Sequence, residues 1–228
     1  MSGILKTSIG RKFAMALSAL FLMIFLIIHV SINFSSVFSE ELFNDMSHFM
    51  GTNPLVQGVM QPILMFGVVF HFVMGFVLEA RNRGARKTSY AANNASDNSS
   101  WMSRNMLLTG VVILAFLGLH FYDFWVHEMT VKYIEGDMSG LVNPDNAESG
   151  FRYYDELVEK FESPVRVAIY VLAFVLLSLH LLHGFNSTFQ SIGANNKYVN
   201  SLKGFSKVYA IGIPALFIFI AIYHYFAH

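Results

Sequence analysis

The sequence predicts an all-α, polytopic bundle of five transmembrane helices with a cytoplasmic N-terminus and a periplasmic C-terminus, and three observations predict it. Of 228 residues, 54% are hydrophobic and 13% charged, whereas about a quarter of the residues in a soluble domain are charged. Five stretches, residues 13–39, 46–78, 105–122, 167–196 and 208–228, contain no Asp, Glu, Lys or Arg. Each reaches the ~18 residues that argue for a span. The third observation is charge asymmetry. In a five-span arrangement eleven basic residues (Lys6, Arg11, Lys12, Arg81, Arg83, Arg86, Lys87, Arg104, Lys197, Lys203 and Lys207) fall on one side, and Lys132, Arg152, Lys160 and Arg166 on the other. Cytoplasmic loops are the ones enriched in Lys and Arg, so the first side is inside.

The helices are expected at about residues 12–38, 54–80, 104–127, 164–192 and 205–227, in one domain covering residues 1–228. Helix I follows the pair Arg11 and Lys12 and runs well past a signal-peptide core without a small-x-small cleavage site, so it is read as a span. Pro54 and Pro164 mark the starts of helices II and IV, because proline is tolerated in a first turn. Two loops are long. Residues 81–104 contain a polar run at 93–100 and read as a linker on the inner side; residues 129–163, outside, contain a short amphipathic helix around 152–161.

Composition also excludes functions. Fifteen basic and fifteen acidic residues cancel, leaving no basic surface of the kind that neutralises phosphates, so nucleic acid is not a partner. Cysteine is absent, which rules out thiolate-bound iron–sulfur clusters and thioether-attached haem within this chain. Histidine, with nine copies, is the residue type left for a soft or borderline metal.

Four histidines are placed alike. His29 lies 17 residues after Lys12, His71 17 after Pro54, His120 16 after Arg104 and His180 16 after Pro164. At a rise of ~1.5 Å per residue each sits roughly 25 Å along its helix. Helices I and III run outward and II and IV inward, so His29 and His120 share an outer level and His71 and His180 an inner one. Two imidazoles from different helices at one depth can supply both axial ligands of a haem iron without adding charge to hydrocarbon. The pattern predicts two b haems and electron carriage across the bilayer. His183, three residues after His180, competes with it and is read as a donor near the inner surface. His127 is read as interfacial, and His48, His224 and His228 as outer-surface residues. Asp123 follows His120 by three residues near the outer end of helix III. A carboxylate there needs protein or water beside it, and proton exchange with a quinone is the functional reading.

These residues resemble the di-haem cytochrome b membrane-anchor subunit of succinate:quinone oxidoreductases (succinate dehydrogenase and fumarate reductase), of the five-helix single-chain type that works with menaquinone. The resemblance rests on His29-Val-Ser-Ile-Asn33, on His71-Phe-Val-Met-Gly75 and on His180-Leu-Leu-His-Gly184 followed by Phe185 and Phe189, in order within five spans. The His-x-x-x-Gly spacing favours His180 over His183. The resemblance implies a respiratory-chain protein of the bacterial cytoplasmic membrane. Its partners would be an iron–sulfur subunit on the cytoplasmic face and a flavoprotein subunit with FAD, where the dicarboxylate chemistry takes place. It implies that His71 and His180 hold the haem nearer the partner, His29 and His120 the distal one, and that menaquinone reacts near the distal haem. An acidic residue at the distal quinone site would correspond to Glu40, Glu41 or Asp45. Arg81 and Arg83 are candidates for the propionates of the inner haem, and Tyr122 or Trp125 for the outer. One departure is Ser178, two positions before His180, where some di-haem fumarate reductases carry a glutamate for proton movement. Two alternatives remain: a cytochrome b subunit of a membrane hydrogenase or formate dehydrogenase, which usually takes more than one ligand from a single helix, and a haem-free proton-coupled transporter.

Overall fold

The computed structural model describes residues 7–84, 105–193 and 199–228. Arg86, Lys87, Arg104 and Lys197, the polar run at 93–100, and Lys6 lie outside them. The described chain is helical throughout its long elements, with one isolated antiparallel bridge between Leu141 and Phe151. The main helices of the described residues are α1 (Ser8–Ser35), α2 (Glu40–Thr52), α3 (Val56–Gly84), α4 (Met106–Glu135), α5 (Tyr153–Phe161), α6 (Pro164–Ser191) and α7 (Val199–Ala227). Five of them, α1, α3, α4, α6 and α7, are long and apolar enough to cross a membrane. The protein is therefore an all-α, multi-pass membrane protein.

Local chemistry sets the helix starts. Thr7 Oγ1 accepts from the Gly10 amide at 3.0 Å, and Ser39 Oγ from the Leu42 amide at 3.1 Å, with Glu40 and Glu41 in the first turn of α2. Asn53 Oδ1 accepts from the amides of Leu55 and Val56 just after Pro54, and Ser163 caps α6 with Pro164 in its first turn. Each cap satisfies an amide that the helix itself leaves without a partner. Both prolines thus stand where the sequence places helix starts. A third, Pro214, lies inside α7, where it removes one backbone hydrogen bond.

Several expected boundaries shift. Helix α1 begins at Ser8 and ends at Ser35, earlier than 12–38; α3 runs on to Gly84 and α7 begins at Val199. The largest correction is α4. It continues past residue 127 to Glu135 through two π-helical segments, Phe121–Val126 and Val131–Glu135, so the first part of the expected loop 129–163 is helix. Its charges, which argue against hydrocarbon, mark the exit from the membrane rather than the end of the helix. Helix α2 is an addition to the expected elements: Glu40, Glu41 and Asp45 place residues 39–53 outside the expected spans, in the outer connection between helices I and II. The short helix expected around 152–161 is α5.

Helices α1, α3, α4 and α6 form a ring: α1 packs on α3 and α6, and α4 on α6 and, more sparsely, on α3. Helix α7 lies outside the ring against α6 and α1. Ala210 and Ala221 of α7 are fully buried, and Tyr209 Oη donates to the carbonyl of Met23 at 2.6 Å, fastening α7 to α1. At one end of the bundle α2, α5 and the end of α4 form a cap. Many large apolar side chains of the long helices point outward, with Ile9 79% and Phe66 69% exposed, as suits a helix bundle surrounded by lipid.

Candidate functional site

The site begins with the four ring helices, whose cavity-lining histidines are His29 on α1, His71 on α3, His120 on α4, and His180 and His183 on α6. The rings of His29 (α1) and His120 (α4) have centroids 5.7 Å apart, and those of His71 (α3) and His180 (α6) 6.4 Å apart. With metal–imidazole bonds of about 2 Å, two rings facing one iron from opposite sides have centroids roughly 6 Å apart. Both pairs fit that span. The fold therefore brings together the partners that depth counting paired.

The separation of the two levels can be read twice from hydrogen bonds. Ser18 of α1 reaches His71 and Thr109 of α4 reaches His180. His29 lies eleven residues beyond Ser18 (29 − 18), and His120 eleven beyond Thr109 (120 − 109). Eleven helical residues span ~16 Å, so the pairs are stacked levels and cannot share a metal.

Those hydroxyls also decide tautomers. Ser18 Oγ donates to the carbonyl of Met15 at 2.8 Å, so its lone pair is what faces His71 Nδ1 at 3.1 Å. Thr109 Oγ1 donates to the carbonyl of Met106 at 3.0 Å and accepts in the same way from His180 Nδ1 at 3.2 Å. Each imidazole therefore carries its proton on Nδ1, and Nε2 keeps a bare lone pair, the state a metal ligand needs. The other pair is built differently. Asn33 Nδ2 donates to the His29 carbonyl at 2.8 Å and lies 3.4 Å from His29 Nδ1, while His120 Nδ1 is buried with no hydrogen-bond partner.

All four rings line one continuous cavity of about 780 Å³ between the ring helices. Its walls are mainly apolar, and three glycines open it beside the histidines. A Cβ on Gly110 would stand 3.7 Å from His180 Cε1; on Gly75 and Gly184, one turn after His71 and His180, it would meet Met15 and Met106 at 3.7 and 3.4 Å. Glycine at these positions leaves space for a flat group beside each ring of the His71–His180 pair. Among the described residues no three His, Cys, Asp or Glu side chains are grouped to hold a bare metal ion. Paired imidazoles beside a large apolar void instead suit a metal that brings its own equatorial donors. The residues present fit haem.

No protein-family model, curated protein or solved structure matches this chain.

Other candidates land elsewhere. Glu40, Glu41 and Asp45 are exposed on α2, and none lines the cavity. Arg81 and Arg83 are exposed at the far end of α3, where Arg83 Nε donates to Glu79 at 2.6 Å; the polar groups that do line this end of the cavity are Glu79, Asn82, His183, Ser187 and Thr188. A helix can direct only one stripe inward, and on α3 that stripe carries His71, Gly75, Glu79 and Asn82, which leaves Arg81 and Arg83 outside it. Tyr122 and Trp125 are 67% and 37% exposed and face away, while Phe121 and Phe124 line the cavity. Asp123 is 3% exposed. It accepts from Tyr170 Oη at 2.8 Å and lies 3.1 Å from an Arg166 nitrogen. His224, expected at the surface, is fully buried and shares a 2.8 Å hydrogen bond with Ser36. Its depth depends on α7 docking against the end of α1, which its helix position does not reveal.

The cap carries its own charge network. Glu128 pairs with Lys132 at 2.7 Å and Arg152 at 2.6 Å, Arg152 also pairs with Glu156, and His127 meets Glu156 at 3.1 Å. Lys132, 3% exposed, also donates to the carbonyl of Gly51, tying α4 to α2. Burial, and then the charge of Glu128, push the Tyr153 hydroxyl well above the usual phenol range. With Lys160–Glu159 and Arg166–Asp123, all four basic residues at this end are paired with acids.

Proposed function

We propose that this chain is the membrane-anchor cytochrome b of a succinate:quinone oxidoreductase, carrying electrons through two b haems between an iron–sulfur partner subunit and menaquinone. The observation that carries the reading is the pair of histidine levels, each made by two rings from different helices. Haem, when bound, supplies one-electron redox chemistry at each level. The chain's residues hold and tune it. Ser18 and Thr109 present the His71 and His180 lone pairs, the apolar wall excludes water, and Gly75, Gly110 and Gly184 keep the space beside the rings open. Four ligands from four helices also favour this family over the hydrogenase and formate dehydrogenase cytochromes, which usually draw more than one from a single helix.

In this reading the α2–α5 end is periplasmic and the opposite end cytoplasmic. What supports it is the count of Lys and Arg: four at the α2–α5 end (Lys132, Arg152, Lys160 and Arg166) against eleven on the other side, the side that would face the cytoplasm of a bacterial inner membrane. The iron–sulfur subunit, and behind it the FAD-containing flavoprotein subunit where succinate and fumarate interconvert, would dock on that cytoplasmic face. Quinone taking up two electrons also takes up two protons, and the buried acid nearest the His29–His120 level is Asp123, joined to it through Tyr170.

The deciding experiment is a reduced-minus-oxidised spectrum of the purified full chain with a haem-to-protein ratio. The expected result is a b-type alpha band and two haems per chain. A colourless protein overturns the proposal and returns the histidines to hydrogen bonding or proton relay.

A further inference from the structure

We propose that Tyr170 is the positioning residue of His120, and that Asp123 and Arg166 act on the metal site through it. This rests on the haem reading above. The starting point is an inequality among the four ligands. His29, His71 and His180 each have a polar side chain within reach of Nδ1, whereas His120 Nδ1 is buried without one. A metal-ligating imidazole ordinarily has its orientation and tautomer fixed by that second hydrogen bond. His120 must be held by other means, because the ring torsion of histidine is otherwise broad.

The surroundings of His120 are aromatic. Phe116 is stacked on it at 5.9 Å, Phe124 lies at 5.3 Å, and Tyr170 meets it at 6.2 Å and 64°. Phe116 and Phe124 share α4 with His120 and move with it. Tyr170 comes from α6, so it fixes the ring relative to a second helix. Its own position is over-determined: it is 2% exposed, packs edge-on against Phe116, Phe161 and Phe174, and its Oη donates to Asp123 Oδ2 at 2.8 Å.

Asp123 closes the loop. It stands on α4, three residues after His120, within the π-helical segment Phe121–Val126. There it is buried while its neighbour Tyr122 is exposed; wider turns of this kind recur at functional sites. Its second oxygen is 3.1 Å from Arg166, one turn before Tyr170 on α6 and 30% exposed. The result is a closed brace in which α4 holds Tyr170 through Asp123, and Tyr170 holds the α4 ligand in return. Arg166 supplies the positive charge that keeps a buried carboxylate in place, since an unpaired one would be strongly disfavoured.

The test uses electron paramagnetic resonance of the oxidised, purified full chain, which reads the ligand geometry of each low-spin haem separately. The signal from the His29–His120 haem is assigned by its loss in His120→Ala. Tyr170→Phe keeps the ring and removes the anchor; it should shift that signal while leaving two haems per chain and the other signal unchanged. Asp123→Asn should shift the same signal, and Asp123→Glu should restore it in part. Tyr170→Ala should weaken retention of that haem by roughly 10-fold, the lower end of what loss of an outer-shell partner does. If Tyr170→Ala does not assemble, Tyr170→Phe decides. An unmoved signal in Tyr170→Phe and Asp123→Asn overturns the inference, and so does an equal shift of both haems, which would mean a helix clamp with no particular hold on His120. A wild-type chain without haem overturns the haem reading and this inference together.

Discussion

Ser18→Ala isolates a single hydrogen bond at the proposed inner haem site. Ser18 Oγ is the acceptor for the Nδ1 proton of His71 at 3.1 Å. Alanine leaves the helix intact, since Ser18 also spends its own proton on a carbonyl one turn back at 2.8 Å. A buried N–H stripped of its acceptor costs ~1–3 kcal/mol, or about 5- to 150-fold in an equilibrium constant. Haem retention at the His71–His180 level should fall within that range. The direction of the potential follows from the same bond. Donation from Nδ1 makes the Nε2 lone pair more basic and favours the ferric state, so its loss should raise the midpoint potential of this haem alone. Thr109→Ala should act in the same direction from the opposite face, and the double variant should show nearly additive shifts, because the two hydroxyls act on different rings. Spectroelectrochemical titration resolves the two haems. Ser31→Ala serves as control, since Ser31 bonds only to the carbonyl of Ile27. A shift confined to the His29–His120 haem, or none in either single variant, would refute the tautomer assignment.

Four further outcomes are expected. His29→Ala and His120→Ala should each remove one spectral component, and His71→Ala and His180→Ala the other, while His183→Ala spares both; loss of the same component in His29→Ala and His71→Ala would break the pairing. Gly110→Val places branches against His180, 3.7 Å from the Cβ position, and should displace the haem at that level without affecting the other, as pyridine haemochrome analysis would report. Lys132→Met leaves Glu128 and the Gly51 carbonyl short of a buried partner and should destabilise the cap by about 3 kcal/mol, read as earlier loss of α2 and α5 protection in hydrogen exchange. Because the chain has no cysteine, single-cysteine labelling tests orientation cleanly: in intact cells an impermeant maleimide should modify Glu159→Cys and spare Lys203→Cys, and the reverse pattern would invert the proposed topology.

How much of this was legible in the sequence differs by kind of information. Spans are legible because a helix in hydrocarbon must satisfy its own backbone and present apolar side chains over its whole length, and that requirement is met residue by residue along the chain. Depth is legible too. A helix converts residue count into distance, so counting from Lys12, Pro54, Arg104 and Pro164 was enough to pair His29 with His120 and His71 with His180, and the rings do stand 5.7 and 6.4 Å apart.

Azimuth and docking are not carried by composition or count, and only the tertiary structure decided them. Arg81 and Arg83 have the right depth for the cavity and the wrong face, while Asn82 between them lines it. The place of Asp123 three residues after His120 puts both on one side of α4, but its partners Tyr170 and Arg166 come from α6 and are fixed only by how the two helices pack. Helix α2 and the depth of His224 depend on packing across the end of the bundle. The hydroxyls that set the His71 and His180 tautomers come from residues 53 and 71 positions away in the chain. A sequence states what each helix can offer at each level; which side chain receives it is settled only when neighbouring helices choose their faces, because a hydrogen bond requires contact within about 3 Å and contact belongs to the fold.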